Sequence, residues 1–343
     1  MRKYLLGGKG KFYKANLHIH TTISDGQLTP EEVKRIYMKK GYSILAYTDH
    51  EVIVPHNDLS EENFLAITAY EASINAPLVD IEKHRAQFFI AYHFNFYSKD
   101  KNNRISPCFN ERCIWLEKSK QYVTDEMRKV VYPIEYTTEC VNDILQKAKE
   151  HNFLVALNHP VWSLLSYTDY INLNGIWGVE VYNTGADFEG LIDTDMPYID
   201  LLKAGNNVVP IAADDMHTRS YAFHSFTMIE SKDLTYDNVL TAMENGDLYS
   251  STGPLIEEIY IENNKLQVKC SKVVKISLHS ERRWGMVICG KDLTEAVFDL
   301  SSYMEGVEVG REAGRKVFFL RLTIIDANGN KAWTRAYFPP EWE

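Results

Sequence analysis

A chain of 343 residues, 45% hydrophobic and 24% charged, is long enough for more than one packed core. Its formal charge of −10 disfavours an extended nucleic acid lying on a generally basic surface, although two or three bound divalent cations would offset roughly half of that charge. No apolar run approaches the roughly 18 to 20 residues of a membrane span, and only Tyr4-Leu5-Leu6 stands where a secretory leader needs roughly 7 to 15, so a cytoplasmic protein is expected.

In chain order, "GGKG" at 7 to 10 lacks the GxxxxGK[ST] frame of a phosphate-binding loop and reads as a hairpin turn. "KANLHIH" reads as a strand and "TPEEVKRIYMKKG" as a helix, with Thr29 at the N-cap, Pro30 at N1, Glu32 closing a capping box and Gly41 past the end. "YSILAYTDH" completes a βαβ unit, which implies parallel strands. The pattern recurs through "ENFLAITAYEAS", "AQFFIAYHFNFY", a helix around "TECVNDILQKAKEHN", then "FLVALNHP", "IWGVEVYN", a helix "MPYIDLLKAGN" and "VVPIAADDMH". Residues 98 to 133 are charged, helix-prone and poorly periodic, and are taken as an insertion or lid. After "STGP" short alternating runs begin, with turn signals at Asn263-Asn264 and Asn328-Gly329, so residues 254 to 343 are expected to form a small all-β domain behind an α/β domain of residues 1 to 253. The five cysteines, Cys108, Cys113, Cys140, Cys270 and Cys289, contain no CxxC and point neither to a disulfide framework nor to a thiolate zinc site.

The apolar strands end in polar clusters, and these carry the chemistry. His18 and His20, at i and i+2 of a strand, project from one face about 6 to 7 Å apart. Asp25 follows at a turn, and His50, Glu71, His93, His159, Asp215 and His217 stand at or beside other predicted strand ends. Imidazole with carboxylate is a ligand set for zinc, manganese or iron, and a lone HxH or DxH would not carry that reading without the others.

The ordered series "HIHTTISDG", "TDH", "YEAS", "HFNFY", "NHP" and "DDMH" resembles the polymerase and histidinol phosphatase (PHP) family over residues 14 to 253. The resemblance implies a distorted seven-stranded (β/α) TIM-like barrel with two or three divalent metals at its C-terminal rim. It assigns His18, His20, Glu71 and Asp215 to one ion, Asp25, His50 and His217 to a second, and Glu71, His93 and His159 to a third, Glu71 bridging. Position 25 is Asp where some relatives have His, and Gln87 is the alternative to His93. The C-terminal β segment resembles the tail of some bacterial members.

Such a site implies hydrolysis of a small phosphate ester, such as a nucleotide or sugar phosphate, by a hydroxide bridging the metals. Glu71 and Asp215 are then expected at the reacting centre, Arg219 is a candidate for binding phosphate, and His224 a candidate acid for the leaving group. Asp49, Asp214, Glu180 and Asn183 stand where they could orient ligands. Two other readings remain: hydrolysis of a C–N or C–O bond, as in amidohydrolase barrels, and a non-catalytic metal-bound scaffold with a binding β segment. Metal identity, exact substrate and oligomeric state stay open.

Overall fold

A computed structural model describes residues 2–76, 90–129, 132–191 and 194–342. Its strands are β1 (Lys3–Leu6), β2 (Lys11–Asn16), β3 (Ile44–Tyr47), β4 (Leu65–Asn75), β5 (Ala91–Ser98), β6 (Phe153–Leu157), β7 (Gly178–Asn183) and β8 (Val209–Ala213). They continue with β9 (Phe226–Ser231), β10 (Leu248–Ser251), β11 (Ile256–Glu262), β12 (Lys265–Ser280), β13 (Gly285–Asp299), β14 (Leu320–Ile325) and β15 (Lys331–Thr334). The protein is mixed α/β, with one hydrogen-bonded path running β1-β11-β12-β14-β15-β10-β9-β2-β3-β4-β5-β6-β7-β8 and β13 pairing on β12.

That path is open. Between β8 and its neighbours in space, side chains rather than a ladder make the bonds: Thr227 Oγ1 lies 3.2 Å from Ala212 O, and Ser250 Oγ donates to Pro210 O at 2.8 Å. Just beyond the strand ends the backbone does meet, with Asp215 N donating to His18 O at 3.0 Å and His20 N to Met216 O at 3.1 Å.

Local sequence explains the elements around this seam. Thr29 caps the helix Pro30–Met38 by accepting from Glu32 N, and the Glu32 carboxylate accepts from Thr29 N, the expected capping box. The helices Thr138–Glu150 and Met196–Lys203 fall where the sequence places them, burying Val141, Ile144, Leu145 and Ala148 in the first and Tyr198, Leu201 and Leu202 in the second. β2 with β3, β3 with β4, β6 with β7 and β7 with β8 are parallel. Beneath the site, Ala15, Ala46, Ala69, Ala156 and Ala213 let these strands pack closely around Leu17, Ile67 and Ile211.

Four expectations are corrected. β5 runs antiparallel to both β4 and β6, so the βαβ pattern does not repeat there; its beginning, not its end, therefore shares the edge where β6 ends, as the pairing of Phe94 with Leu157 requires. "GGKG" does not join a hairpin, because β1 pairs with β11 and β2 with β9. Its amides are satisfied by a carboxylate of the same chain: Glu230 accepts from Gly7 N at 2.8 Å, from Gly10 N at 2.9 Å and from Lys9 N. The C-terminal segment is not all-β, since Ser301–Glu312 is a helix that buries Tyr303, Val307 and Gly310 at helical spacing; its two glycines and its lack of a side-chain cap obscure it in the sequence. Residues 98–133, helix-prone by composition, form only short 3-10 turns at Glu111–Cys113 and Glu117–Tyr122 and one turn of helix at Asp125–Arg128, among the described residues. No helix among the described residues is long and apolar enough to cross a membrane.

Candidate metal centre

The nine ligand-type residues come together at one edge of the parallel strands. His18 and His20 follow the end of β2, His50 follows β3, His159 follows β6, and Asp215 and His217 follow β8. His93 is the third residue of the reversed β5, which brings it to the same edge. Glu71 is not at a strand end but within the 11-residue β4, where it bridges to His50.

Glu71 occupies the centre. Its Oε2 lies 3.5, 3.3 and 3.2 Å from His18 Nε2, His20 Nε2 and His50 Nδ1. Its Oε1 lies 3.1 and 3.3 Å from His93 Nδ1 and His159 Nε2 and accepts from Asn158 Nδ2 at 2.8 Å. Asp215 Oδ1 sits 3.2 and 3.1 Å from His18 and His20 Nε2, and Asp25 Oδ2 sits 3.6 and 3.3 Å from His50 and His217 Nε2. Three overlapping sets could each hold an ion: His20, Asp25, His50 and His217; His18, His20 and Asp215; and His18, Glu71 and His159. His93 approaches Glu71 but falls outside these tight sets, and its alternative Gln87 lies outside the described residues.

Two fully buried atoms in this cluster, His50 Nδ1 and Asp215 Oδ1, make no hydrogen bond among the described residues despite close polar neighbours. Buried lone pairs that converge without a shared proton are costly unless a cation takes the common position. The donor set of imidazoles and carboxylates suits zinc, manganese or iron. The cluster thus fits divalent metal binding.

Burial opposes charge on His18, His20, Asp25, His50, Glu71, His159 and Asp215, yet their mutual attraction wins for all but His50. The carboxyls of Glu71 and Asp215 are held well below the usual range, chiefly by His18 among their neighbours. Asp25 is also lowered, by His217, His20 and His50. His20 is raised to about 10 by Asp215 and Glu71, whereas burial and the neighbouring His20 push His50 down to about 3.

A surrounding layer fixes the imidazoles. Glu180 Oε1 takes His18 Nδ1 at 2.8 Å, and its Oε2 accepts from His159 N at 2.8 Å and Asn183 Nδ2 at 2.9 Å. Asp49 ties down the 21–24 turn by accepting from Thr21 N, Ser24 N and both hydroxyls at 2.7 to 3.0 Å. Asp214 accepts from Tyr37 OH and Phe223 N, each at 2.7 Å. His159 and Asp215 themselves adopt positive φ, 24° and 50°, a backbone cost tolerated where side chains must be aimed. Sequence reasoning missed Asn158, Ser163, which lies 3.0 Å from His159 Nδ1, and Glu51, a buried glutamate at φ 63°. Only Asn158, beside His159 in "NHP", had a visible signal.

Arg219 and His224 are not brought into the cluster. Arg219 is exposed in the turn Arg219–Tyr221 and forms no ion pair among the described residues. The exposed His224 lies 3.1 Å from Ser220 O through Nε2 and packs its ring 5.1 Å from Phe188.

No protein-family model matches the chain, and no curated protein does. Among solved structures, a two-domain protein from Bacteroides vulgatus with an inferred PHP-like metal-dependent phosphoesterase is 13% identical, covering 98% of each chain at a TM-score of 0.45. An inferred metal-dependent phosphoesterase from Bifidobacterium adolescentis is 14% identical over 69% of this chain and 96% of its own, at 0.39. An amidohydrolase from Chromobacterium violaceum, with bound sulfate and no metal, is 12% identical over 68% and 96%, also at 0.39.

Proposed function

We propose that this protein is a PHP-type, metal-dependent phosphoesterase that hydrolyses a small phosphomonoester, such as a nucleotide or sugar phosphate. The observation that carries this reading is Glu71, whose two buried oxygens face different imidazole sets while Asp215 Oδ1 and His50 Nδ1 lie unpartnered beside them. Two or three zinc, manganese or iron ions would be held as the motifs assign them: by His18, His20, Glu71 and Asp215; by Asp25, His50 and His217; and by Glu71, His93 and His159. Bound there, the ions would bring the pKa of water toward neutrality and neutralise charge on the phosphoryl oxygens. Glu180 holds His18 with Nε2 turned inward, Ser163 does the same for His159, and Glu71 sets the spacing between the sets. No side chain acts as nucleophile. The open strand path is read as a distorted (β/α) barrel with its seam at β8, residues 1–253 as the catalytic unit, 98–133 as an insertion beside its mouth and 254–343 as an appended unit, to which β1 crosses.

One observation favours a second reading. No lysine or arginine bonds or ion-pairs with the nine residues among the described contacts, and a phosphate dianion would gain from one. Hydrolysis of an uncharged C–N or C–O bond by the same centre needs no such partner.

The test is metal analysis of the purified protein together with phosphate release from a panel of nucleotides and sugar phosphates, with manganese added. Two to three ions per chain and turnover of one substrate class are expected. Metal without phosphate release moves the weight to amide or lactone hydrolysis or to a scaffold, and absence of metal after reconstitution removes the proposal.

A further inference from the structure

The cluster has a closed side and an open one. His18 and His20 have no exposed side-chain surface, whereas Asp25, His217, Asp215 and His93 keep 24%, 28%, 13% and 12% of theirs. Two tryptophans flank that open side from different loops. The Trp115 ring lies 5.7 Å from His50 and is 61% exposed. The Trp162 ring lies 4.9 Å from His159 and 5.6 Å from His93. A scattered exposed apolar residue needs no explanation, but two indoles against the imidazoles at one polar opening are a different arrangement.

Both are held in place. Ile114, beside Trp115, is buried, and the following turn is pinned where Ser119 Oγ donates to Ile23 O at 2.8 Å. Trp162 Nε1 donates to Glu189 Oε2 at 2.7 Å, so its one polar atom is already satisfied and its remaining surface is purely aromatic. Trp162 is half-buried, and the exposed Trp115 indole forgoes the stabilisation of burial, which a flat ring laid against the pair restores. An aliphatic chain would instead call for a closed apolar groove.

We propose that Trp115 and Trp162 determine specificity, holding the leaving group of the substrate, an alcohol that carries a planar ring, while the cleaved group meets the cluster. This rests on the hydrolase reading above, so the test separates the two. Adenosine monophosphate and ribose 5-phosphate share the same phosphate and sugar and differ in the base. On the metal-loaded full chain, Trp115→Ala and Trp162→Ala should each lower kcat/KM for adenosine monophosphate on the order of 10-fold. Ribose 5-phosphate should change by less than about 2-fold, and Trp→Phe at either position should restore most of the loss, since it keeps a stacking surface. Equal losses on both substrates, or none on the nucleotide, would overturn the proposal. Should neither ester turn over, the phosphoesterase reading fails, and calorimetric binding of the same two compounds decides this one. Tighter binding of the nucleotide that either alanine variant abolishes supports it, and equal binding of both compounds by the parent overturns it.

Discussion

The edge of strands β2 to β8 and the sheet of β11 to β15 belong to one hydrogen-bonded path but are built on opposite terms. In the second region, local preference and tertiary structure agree. Asn263 and Asn264, at φ 53° and 57°, make the two-residue turn between β11 and β12, and Ile276, Leu278, Leu322 and Ile324 fill an apolar core. At the first, local rules are broken: charged groups are buried, polar atoms lack partners, and His159, Asp215 and Glu51 take backbone conformations that L-residues disfavour. The contrast is one of concentration: the C-terminal region also buries Arg321 and leaves Glu281 Oε1 and Tyr337 OH without a hydrogen bond, but the first region gathers such costs around one point, the pattern of a site.

Changing Glu71 should have the largest effect. Glu71→Gln keeps the shape but removes the charge that faces both imidazole sets, and should lower kcat/KM on the order of 1000-fold with loss of bound metal. Asp25→Asn, which touches one set, should cost roughly tenfold less. Equal metal content and equal rates in the two variants would show that Glu71 does not bridge. In the other region, Leu322→Ala empties a fully buried position and should destabilise the fold by about 2 to 5 kcal/mol. Metal per folded chain should be unchanged, as read by denaturation and metal analysis; loss of metal in that variant would mean the regions are not energetically separate.

This contrast also marks what the sequence could reveal. Thr29 with Glu32, and Asn263-Asn264, act through neighbours in the chain, so their structures were legible. The ligands were legible because a shared chemistry recurs after successive apolar strands, not because any one motif is decisive. The reversal of β5 was not, since alternating apolar residues look the same in either direction. Nor was the fate of "GGKG", which depends on Glu230 more than two hundred positions away. The helix Ser301–Glu312 was hidden by its glycines, and His224 stands in an alternating run yet precedes β9 and lies outside the cluster.

A smaller effect is expected one layer out. Glu180 grips both His18 Nδ1 and His159 N, so Glu180→Gln keeps the packing but weakens the charge-assisted bond that orients His18. A loss of 10- to 100-fold in metal affinity is expected, measured by chelator competition. If affinity is unchanged, His18 is oriented by packing alone.

The smallest effect turns on Glu51, whose carboxylate accepts from Ser73 N at 2.8 Å and which burial raises to about 8. An ordinary glutamate in the unfolded chain titrates near 4.3. Because the folded value is the higher one, the folded state binds more protons between these values, and stability falls as pH rises from about 4 through 8. Glu51→Gln retains an oxygen for Ser73 N and cannot ionise. Its stability, read as melting temperature, should therefore match the parent near pH 4 and exceed it increasingly up to pH 8, with no further divergence above. Thermal melts of the metal-loaded proteins at pH 5, 7 and 9 read this directly. Parallel curves would mean that Glu51 stays ionised beside the cluster, which would make the edge of the parallel strands still richer in buried charge than the comparison with the C-terminal sheet requires.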